Sequence, residues 1–436
     1  MNAEPMPQCH FDKDAMRFNN LNEWLEWQEE LHFTAIEMGL DRCSAVAENM
    51  GLLNPDFTVI SVAGTNGKGS SVTMMDSILG NSGYKTGCYT SPHFIRYNER
   101  VKLGGVEVTD EMLCESFSRI DHARGDISLT YFEFGTLAAL DIFHNANIDV
   151  ALLEVGLGGR LDAVNCLDAD VALISSIDLD HMQWLGMDRE SIAREKAGIF
   201  RENKPAVCSD PHPPEAVLGY AEEIGATLYI PGRDFNYHLS DDNWSWQWNS
   251  VAYENLPRPG QYNSCQIQNA AGVLMVLNTL KSILPVDAGA IEKGLENFSL
   301  TGRFQMLTGG RQTILDVAHN PQAARTLVHN LKEFPNSGKT HVIIGMLKDK
   351  DQTGVLSELV EIADYWHTVT TSCSRGSNSK ILKKELLELG VTAPISENDT
   401  VVDAFLRLEN KTGMHDRIVV TGSFLSVGEA MKHLEI

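Results

Sequence analysis

Residues 60–70 read Ile-Ser-Val-Ala-Gly-Thr-Asn-Gly-Lys-Gly-Ser, and they leave the backbone few choices. The apolar, β-branched run ending at Ala63 favours an extended strand. The glycines at 64, 67 and 69 favour a tight turn, and a helix opening at Ser70 can continue through Ser71–Leu79. Such a strand–turn–helix unit also suits a polyphosphate. Its glycines let backbone N–H groups turn inward, Lys68 adds a cation, and the helix presents its positive end. The spacing departs from G-x-x-x-x-G-K-[ST], because Val62 stands in place of the first glycine and the hydroxyl arrives one position late, at Ser70. A tight β-to-α connection without a ligand is the alternative for this turn taken alone.

The same alternation continues along the chain and predicts an α/β fold with a mainly parallel sheet. Strands are expected at Phe57–Ala63, Tyr84–Thr90, Val150–Val155, Val171–Ile177 and Ala206–Ser209, with helices at Ser71–Leu79, Asp110–Ala123, Glu133–His144 and Glu190–Ala197. Continuous apolar strands such as Val150-Ala-Leu-Leu fit a sheet covered on both faces. Trp244, Trp246 and Trp248 alternate within Phe235–Tyr253, which reads as a packed antiparallel flap rather than an aromatic ligand platform. A helix-period stretch follows at Ile267–Leu284, then a connection through Pro285 and Asn297–Gly302. Beyond it a second, smaller α/β unit has strands expected at Gln312–Val317, His341–Gly345, Trp366–Thr370 and Arg417–Val420. The boundary therefore falls near residue 300, as the 436-residue length also suggests. Glu358–Asp364 and Lys380–Lys384 read as solvated helix faces.

A net charge of −24 argues against a nucleic-acid partner, although local cations and a metal can reverse the field within one cleft. The eight cysteines (Cys9, Cys43, Cys88, Cys114, Cys166, Cys208, Cys265, Cys373) are scattered and read as reduced thiols, with neither a disulfide framework nor a zinc site. Glu4, Asp12 and Asp14 in an N-terminus without an apolar block are unlike a secretory signal, and no apolar run reaches membrane-spanning length. The expectation is a cytoplasmic protein without a membrane partner.

Ligands of open parallel sheets sit at the carboxyl ends of the strands. Ser91-Pro92-His93, Glu154 with Gly156-Leu-Gly-Gly-Arg-Leu-Asp162, and Asp178-Leu-Asp-His181 fall at three such ends. Ser91 and Glu154 suit Mg²⁺, which prefers hard oxygens shared with phosphates. His181 is a less typical ligand for it and, taken alone, reads more readily as a hydrogen-bonding residue than as a ligand. Lys196, in Arg194-Glu-Lys-Ala-Gly198, reads by itself as a surface lysine near a helix C-terminus. In the second unit, Arg303 at the hinge can reach a phosphate as a bidentate donor, and Asp316 at a strand end can accept from ribose or orient a neighbour. Asn320-Pro321 is the better pair to cap the following helix.

Together, Ala63-Gly-Thr-Asn-Gly-Lys-Gly-Ser70, Tyr89-Thr-Ser-Pro-His93, Leu153-Glu-Val-Gly-Leu-Gly-Gly-Arg-Leu-Asp162, Ser176-Ile-Asp-Leu-Asp-His181, Arg194-Glu-Lys-Ala-Gly198 and Leu315-Asp-Val-Ala-His-Asn-Pro321 resemble the ATP-dependent Mur ligase superfamily. The likeness is to its folylpolyglutamate synthase and dihydrofolate synthase branch, and it spans roughly residues 20–425. It implies a P-loop-type ATPase domain over residues 1–300 and a smaller Rossmann-like glutamate ligase domain over 301–436. Gly64, Thr65, Asn66, Gly67, Lys68, Gly69 and Ser70 would form the ATP loop, with Asn269 at adenine and Arg303 and Asp316 as further nucleotide contacts. Ser91, Glu154 and His181 match Mg²⁺ ligands, and Lys196 matches a lysine that is carbamylated in relatives; Lys68, Lys196 and His181 would be the catalytic set, with a monovalent cation as a further cofactor. Asn263-Ser264-Cys265 stand where the family has a glycine and a histidine before the adenine-contacting segment. Leu129–Thr136 resembles the bifunctional bacterial type, in which Thr130 and Phe132 contact a pterin with Asp162 and Ala163 nearby; Phe132 also reads as core.

The implied reaction joins L-glutamate to dihydropteroate, and then to reduced folates, through an acyl phosphate made with ATP. A monofunctional folylpolyglutamate synthase and, more remotely, a P-loop small-molecule kinase or a nucleotide-binding regulator are the alternatives. The chain is expected to act as a monomer.

Overall fold

The computed structural model describes residues 16–34, 36–240, 242–259, 264–307, 311–409 and 412–436. Glu4, Cys9, Asp12, Asp14 and Asn263, named above, lie outside the described residues. The first sheet contains β1 (Thr58–Ala63), β2 (Thr86–Tyr89), β3 (Val101–Leu103), β4 (Val106–Glu107), β5 (Val150–Glu154), β6 (Val171–Ile174), β7 (Pro205–Cys208) and β8 (Thr227–Tyr229). Its order is β4-β3-β2-β5-β1-β6-β7-β8, parallel except for β3 and β4 at one edge. Successive residues feed opposite faces, and both faces are apolar. Ile60, Val62, Val150 and Leu152 enter one core, while Val59, Ala63, Ala151 and Leu153 enter the other. Helices therefore cover both sides, and the polar loops gather at the strand ends.

A three-stranded antiparallel flap, β9 (Phe235–Leu239), β10 (Asn243–Trp248) and β11 (Val251–Pro257), packs onto the helix Ser264–Thr279. Trp244 and Trp246 are buried there, and the Trp246 indole N–H donates to the Ala271 carbonyl at 3.1 Å. Those indoles belong to the core, as a packed flap requires.

The second sheet contains β12 (Gln305–Leu307), β13 (Gln312–Leu315), β14 (Thr340–Ile344), β15 (Tyr365–Val369), β16 (Ile395–Asn398) and β17 (Arg417–Thr421), in the order β12-β13-β17-β14-β15-β16. All but β12 run parallel, and two apolar layers again cover it.

Local readings shift in several places, and Glu358–Asp364, read as a helix face, is mostly turn and bend beyond the helix Gln352–Leu359. The first helix of the glycine turn starts at Lys68 rather than Ser70, because Gly67 at φ 86° already completes the turn. The stretch after Pro285 holds a helix, Ala288–Glu296, capped by Asp287. Gly294 lets that helix close on its neighbour: a Cβ there would lie 2.5 Å from Ile78 Cγ1. The described cysteines are all free, and no helix among the described residues is long and apolar enough to cross a membrane.

Candidate active site

The carboxyl ends of both sheets open onto one cavity of about 720 Å³. Every residue singled out from the sequence as a site candidate lines it. The phosphate-type loop forms its floor. Lys68 Nζ folds back to the Gly64 carbonyl at 3.0 Å, so its charge stays over the loop. A Cβ on Gly67 would stand 2.5 Å from Asn269 Oδ1, which places Asn269 against the turn. Gln266 links the two, accepting from Asn269 at 3.1 Å and donating to Ser70 Oγ at 3.3 Å.

Glu154 ends β5 directly beneath that loop. Its Oε2 accepts from the Ser91 N–H at 3.1 Å and would lie 3.3 Å from a Cβ on Gly69. Burial pushes the Glu154 pKa up, while Lys68 and the Ser91 N–H pull it down. A buried carboxylate beside a hydroxyl residue and a phosphate loop is the donor set that a hard divalent ion uses, with ligand oxygens completing the shell. Among the described residues no group of three or more His, Cys, Asp or Glu side chains could hold a metal by itself, so those ligand oxygens would be essential. His181 enters from the loop after β6 with φ 50°. Burial, reinforced by the Lys350 charge, lowers its pKa to about 4, so its imidazole is neutral. Its Nε2 meets Lys350 Nζ at 3.0 Å, the hydrogen-bonding reading of this histidine.

Lys196 corrects its plain sequence reading as a surface residue, being only 3% exposed. The helix Arg189–Ala197 closes tightly on the loop after β5, since a Cβ on Gly159 would be 2.8 Å from the Glu195 carbonyl and one on Gly198 would be 2.4 Å from Arg160 Cβ. That close approach turns the end of the helix inward. Burial, then the nearby Lys68 charge, lowers the Lys196 pKa to about 7.

Thr130 caps the helix Tyr131–Ala146: its hydroxyl accepts from the Glu133 N–H at 3.2 Å, and Glu133 accepts from the Thr130 N–H at 2.7 Å. Phe132 lies across Gly156, where a Cβ would stand 2.5 Å from the ring. The ring is thus half packed and half presented to the cavity. Asp162 holds the glycine-rich loop shut by accepting from Leu157 N at 2.7 Å and Val164 N at 3.1 Å, with Ala163 following it. Burial raises the Asp162 pKa to about 7 against those donors.

From the second unit, the Arg303 guanidinium stands 5.0 Å over the Phe424 ring. Burial lowers its pKa, opposed by Asp316. Asp316 accepts from Phe304 N and Ala318 N, each at 2.8 Å, and so shapes the Arg303 turn. Asn320, not Asp316, caps the next helix, accepting from Ala323 N at 2.9 Å with Pro321 in its first turn.

Sequence reasoning missed Lys350 and Gln322, and it did not foresee that Asn66, Asp180 and Asn320 join the two halves. Lys350 pairs with Asp180 at 2.7 Å, and Asn320 donates to Asp180 at 3.2 Å and to Asn66 at 3.1 Å. Asn66 in turn donates to Gln322 at 2.6 Å. Arg100, another cavity residue, was also missed. The available signal was the strand-end rule, which points as well to Leu347-Lys-Asp-Lys350 after β14 as to the loops of the first sheet.

The Mur ligase middle domain model matches residues 62–277, and the Mur ligase glutamate ligase domain model matches residues 302–424. The chain is 43% identical over 415 residues to the dihydrofolate synthase/folylpolyglutamate synthase of Escherichia coli K12, covering 95% of this chain and 96% of that protein. The Haemophilus influenzae enzyme of the same name is 40% identical, with 94% and 96% covered. Among solved structures, E. coli FolC in complex with DHPP and ADP superposes with TM-score 0.90 at 43% identity, covering 96% of this chain and 98% of that one. A bifunctional folylpolyglutamate synthase/dihydrofolate synthase with Mn, AMPPNP and L-glutamate bound gives 0.89 at 43% identity, with 96% and 98% covered. With both domain models matched in order and near-full-length identity of this size, the chain belongs to the Mur ligase family, in its dihydrofolate synthase/folylpolyglutamate synthase branch.

Proposed function

We infer that the protein is an ATP-dependent amide ligase that joins L-glutamate to dihydropteroate, giving dihydrofolate, and then to reduced folates, giving polyglutamates. The observation that carries this reading is the single cavity in which the phosphate loop, the Thr130–Phe132 wall and the Arg303–Asp316 turn of the second unit meet. We assign residues 1–300 to the ATPase part and 301–436 to the glutamate ligase part, acting as a monomer.

The substrate carboxylate attacks the γ-phosphorus of ATP, releasing ADP and forming an acyl phosphate. The glutamate amine then attacks the acyl carbon, expels phosphate and loses a proton to leave the amide. Two anions must first be brought together. Lys68 and Arg303 offset that repulsion and stabilise the charge developing on the transferring group. Ser91, Glu154 and His181 would hold the divalent cation, which when bound supplies further charge neutralisation at phosphoryl oxygens. Lys196, largely able to shed its proton near neutrality, suits carbamylation, which would turn a cation into an anionic group beside substrate and metal. Gly64, Thr65, Asn66, Gly67, Gly69 and Ser70 cradle the phosphates, Asn269 and Asp316 orient the nucleotide, and Thr130, Phe132, Asp162 and Ala163 form the pterin wall. Contacts between the two halves shield the acyl phosphate from water.

The test is phosphate release from purified protein given dihydropteroate, ATP and glutamate, expected to require all three. Release only with reduced folates would favour the monofunctional alternative, and ADP formation independent of glutamate would favour a kinase. Carboxylate ¹⁸O should appear in the released phosphate; its absence would sink the acyl phosphate.

A further inference from the structure

The cations of the cavity differ in how they are matched. Lys350 pairs with Asp180 at 2.7 Å, and Arg375 with Asp349 at 3.6 Å. Arg303 faces Asp316, and Lys68 is committed to its own loop. Arg100, like Lys68, Lys196 and Arg303, has no carboxylate in ion-pair distance among the described residues, but it alone of these lies against the aromatic wall of Tyr97 and Tyr131. Its Nε donates to His93 Nδ1 at 2.9 Å, and its guanidinium carbon lies 5.3 Å from the Tyr97 ring centre and 5.5 Å from that of Tyr131. Those contacts fix the plane of the group, and among the described residues its two terminal nitrogens have no hydrogen-bond partner. Tyr131 sits between Thr130 and Phe132 of the pterin wall, while the Arg100 charge also reaches Glu154 below the phosphate loop. Arg100 thus lines the same cavity as Glu154, on the side of Tyr131.

The two ligations present different charge to that position. Dihydropteroate carries its reacting carboxylate directly on the benzoate ring. A reduced folate reacts through the γ-carboxylate of a glutamyl group, and its α-carboxylate trails behind, toward the pterin. The reacting carboxylate is common to both substrates and must keep a lone pair free for phosphorus. The trailing α-carboxylate needs a partner once it leaves water, and a planar, half-committed arginine offers a two-pronged one.

We propose that Arg100 is a specificity residue for the second ligation: its free terminal nitrogens bind the α-carboxylate of the terminal glutamyl group of the reduced folate. The proposal rests on the ligase reading above. Steady-state kinetics of Arg100→Gln, with ATP and glutamate saturating, compare KM for tetrahydrofolate with KM for dihydropteroate. The first is expected to rise roughly ten- to a hundredfold more than the second, with Arg100→Lys recovering part of the difference. Equal rises would put Arg100 on the reacting carboxylate, and no rise with either would take it out of substrate binding; both overturn the proposal. The unaltered enzyme provides a second reading through a tetrahydropteroyl substrate in which γ-aminobutyrate replaces glutamate. Lacking the α-carboxylate, it should show a KM raised to a similar degree, and an unraised KM overturns the proposal whether or not the variants fold. If the unaltered enzyme turns over neither natural substrate, the ligase reading falls and the proposal with it, whereas the selective outcomes bear on Arg100 alone.

Discussion

Lys196 shows how far burial can change a residue. Unfolded, its amine would be protonated well beyond neutrality; in the fold, burial and Lys68 bring its pKa to about 7. Only the neutral amine adds to CO₂, forming the N–C bond of a carbamate and releasing a proton. A ¹³C carbamate signal from labelled bicarbonate should therefore grow as pH rises through about 7, and be absent in Lys196→Arg. The variant should also lose activity on the order of a hundredfold; a pH-independent signal, or one surviving in the variant, would refute the assignment. The same shift has a stability consequence. Between about 7 and the ordinary lysine range the unfolded chain binds a proton that the folded chain does not. Burying Lys196 thus costs most below about pH 7, and the cost fades as pH rises.

At the scale of elements, function depends on how closely strand ends approach helices. β5 ends in Glu154 and passes through Gly156 under the Phe132 ring at the start of the helix Tyr131–Ala146. A methyl group at Gly156 would meet that ring at 2.5 Å, so Gly156→Ala must push Phe132 into the cavity or the helix away from β5. KM for dihydropteroate should rise by about tenfold or more while KM for ATP changes little; parallel changes in both would mean that Phe132 does not face the pterin. The same economy of contact explains why the helix Ala288–Glu296 was not expected. Glycines at 289 and 294 weaken any helical pattern there, yet Gly294 serves a close helix–helix crossing at Ile78.

For the whole molecule, the contacts between the two halves decide whether the cavity exists. Asp180, at the end of the first sheet, receives Lys350 and Asn320 from the second unit. Burial alone would raise the Asp180 pKa, but the His319 hydrogen bond and the Lys350 charge hold it well below the usual carboxylate range. Asp180→Ala would strand Lys350, whose side chain is only 6% exposed. Breaking such a buried pair should cost ~3–5 kcal/mol, read as a lower urea midpoint or as two separate unfolding transitions. The neighbouring Arg325–Asp178 pair, with Arg325 54% exposed, is the control. Arg325→Ala should shift stability by no more than about 1 kcal/mol. Equal losses from the two variants would show that burial does not set the strength of this interface.

The chain by itself determined the parallel sheets, the phosphate loop and the order of the site motifs. Strand periodicity, glycine turns and the position of polar residues after strands are local properties, written within ten or so residues of one another. Gly64–Ser70 needed only its neighbours to be read, and so did the Asn320-Pro321 cap. Tertiary structure alone decided which charges are buried and which are matched. Lys196 looked like a surface cation until Gly159 and Gly198 allowed its helix to close on the loop after β5. The Lys350 contact to His181 spans 169 residues of sequence, and that Arg100 has no carboxylate in ion-pair distance among the described residues is a property of everything packed around it. Desolvation and Coulomb energy depend on distance in space, so no reading along the chain could assign them.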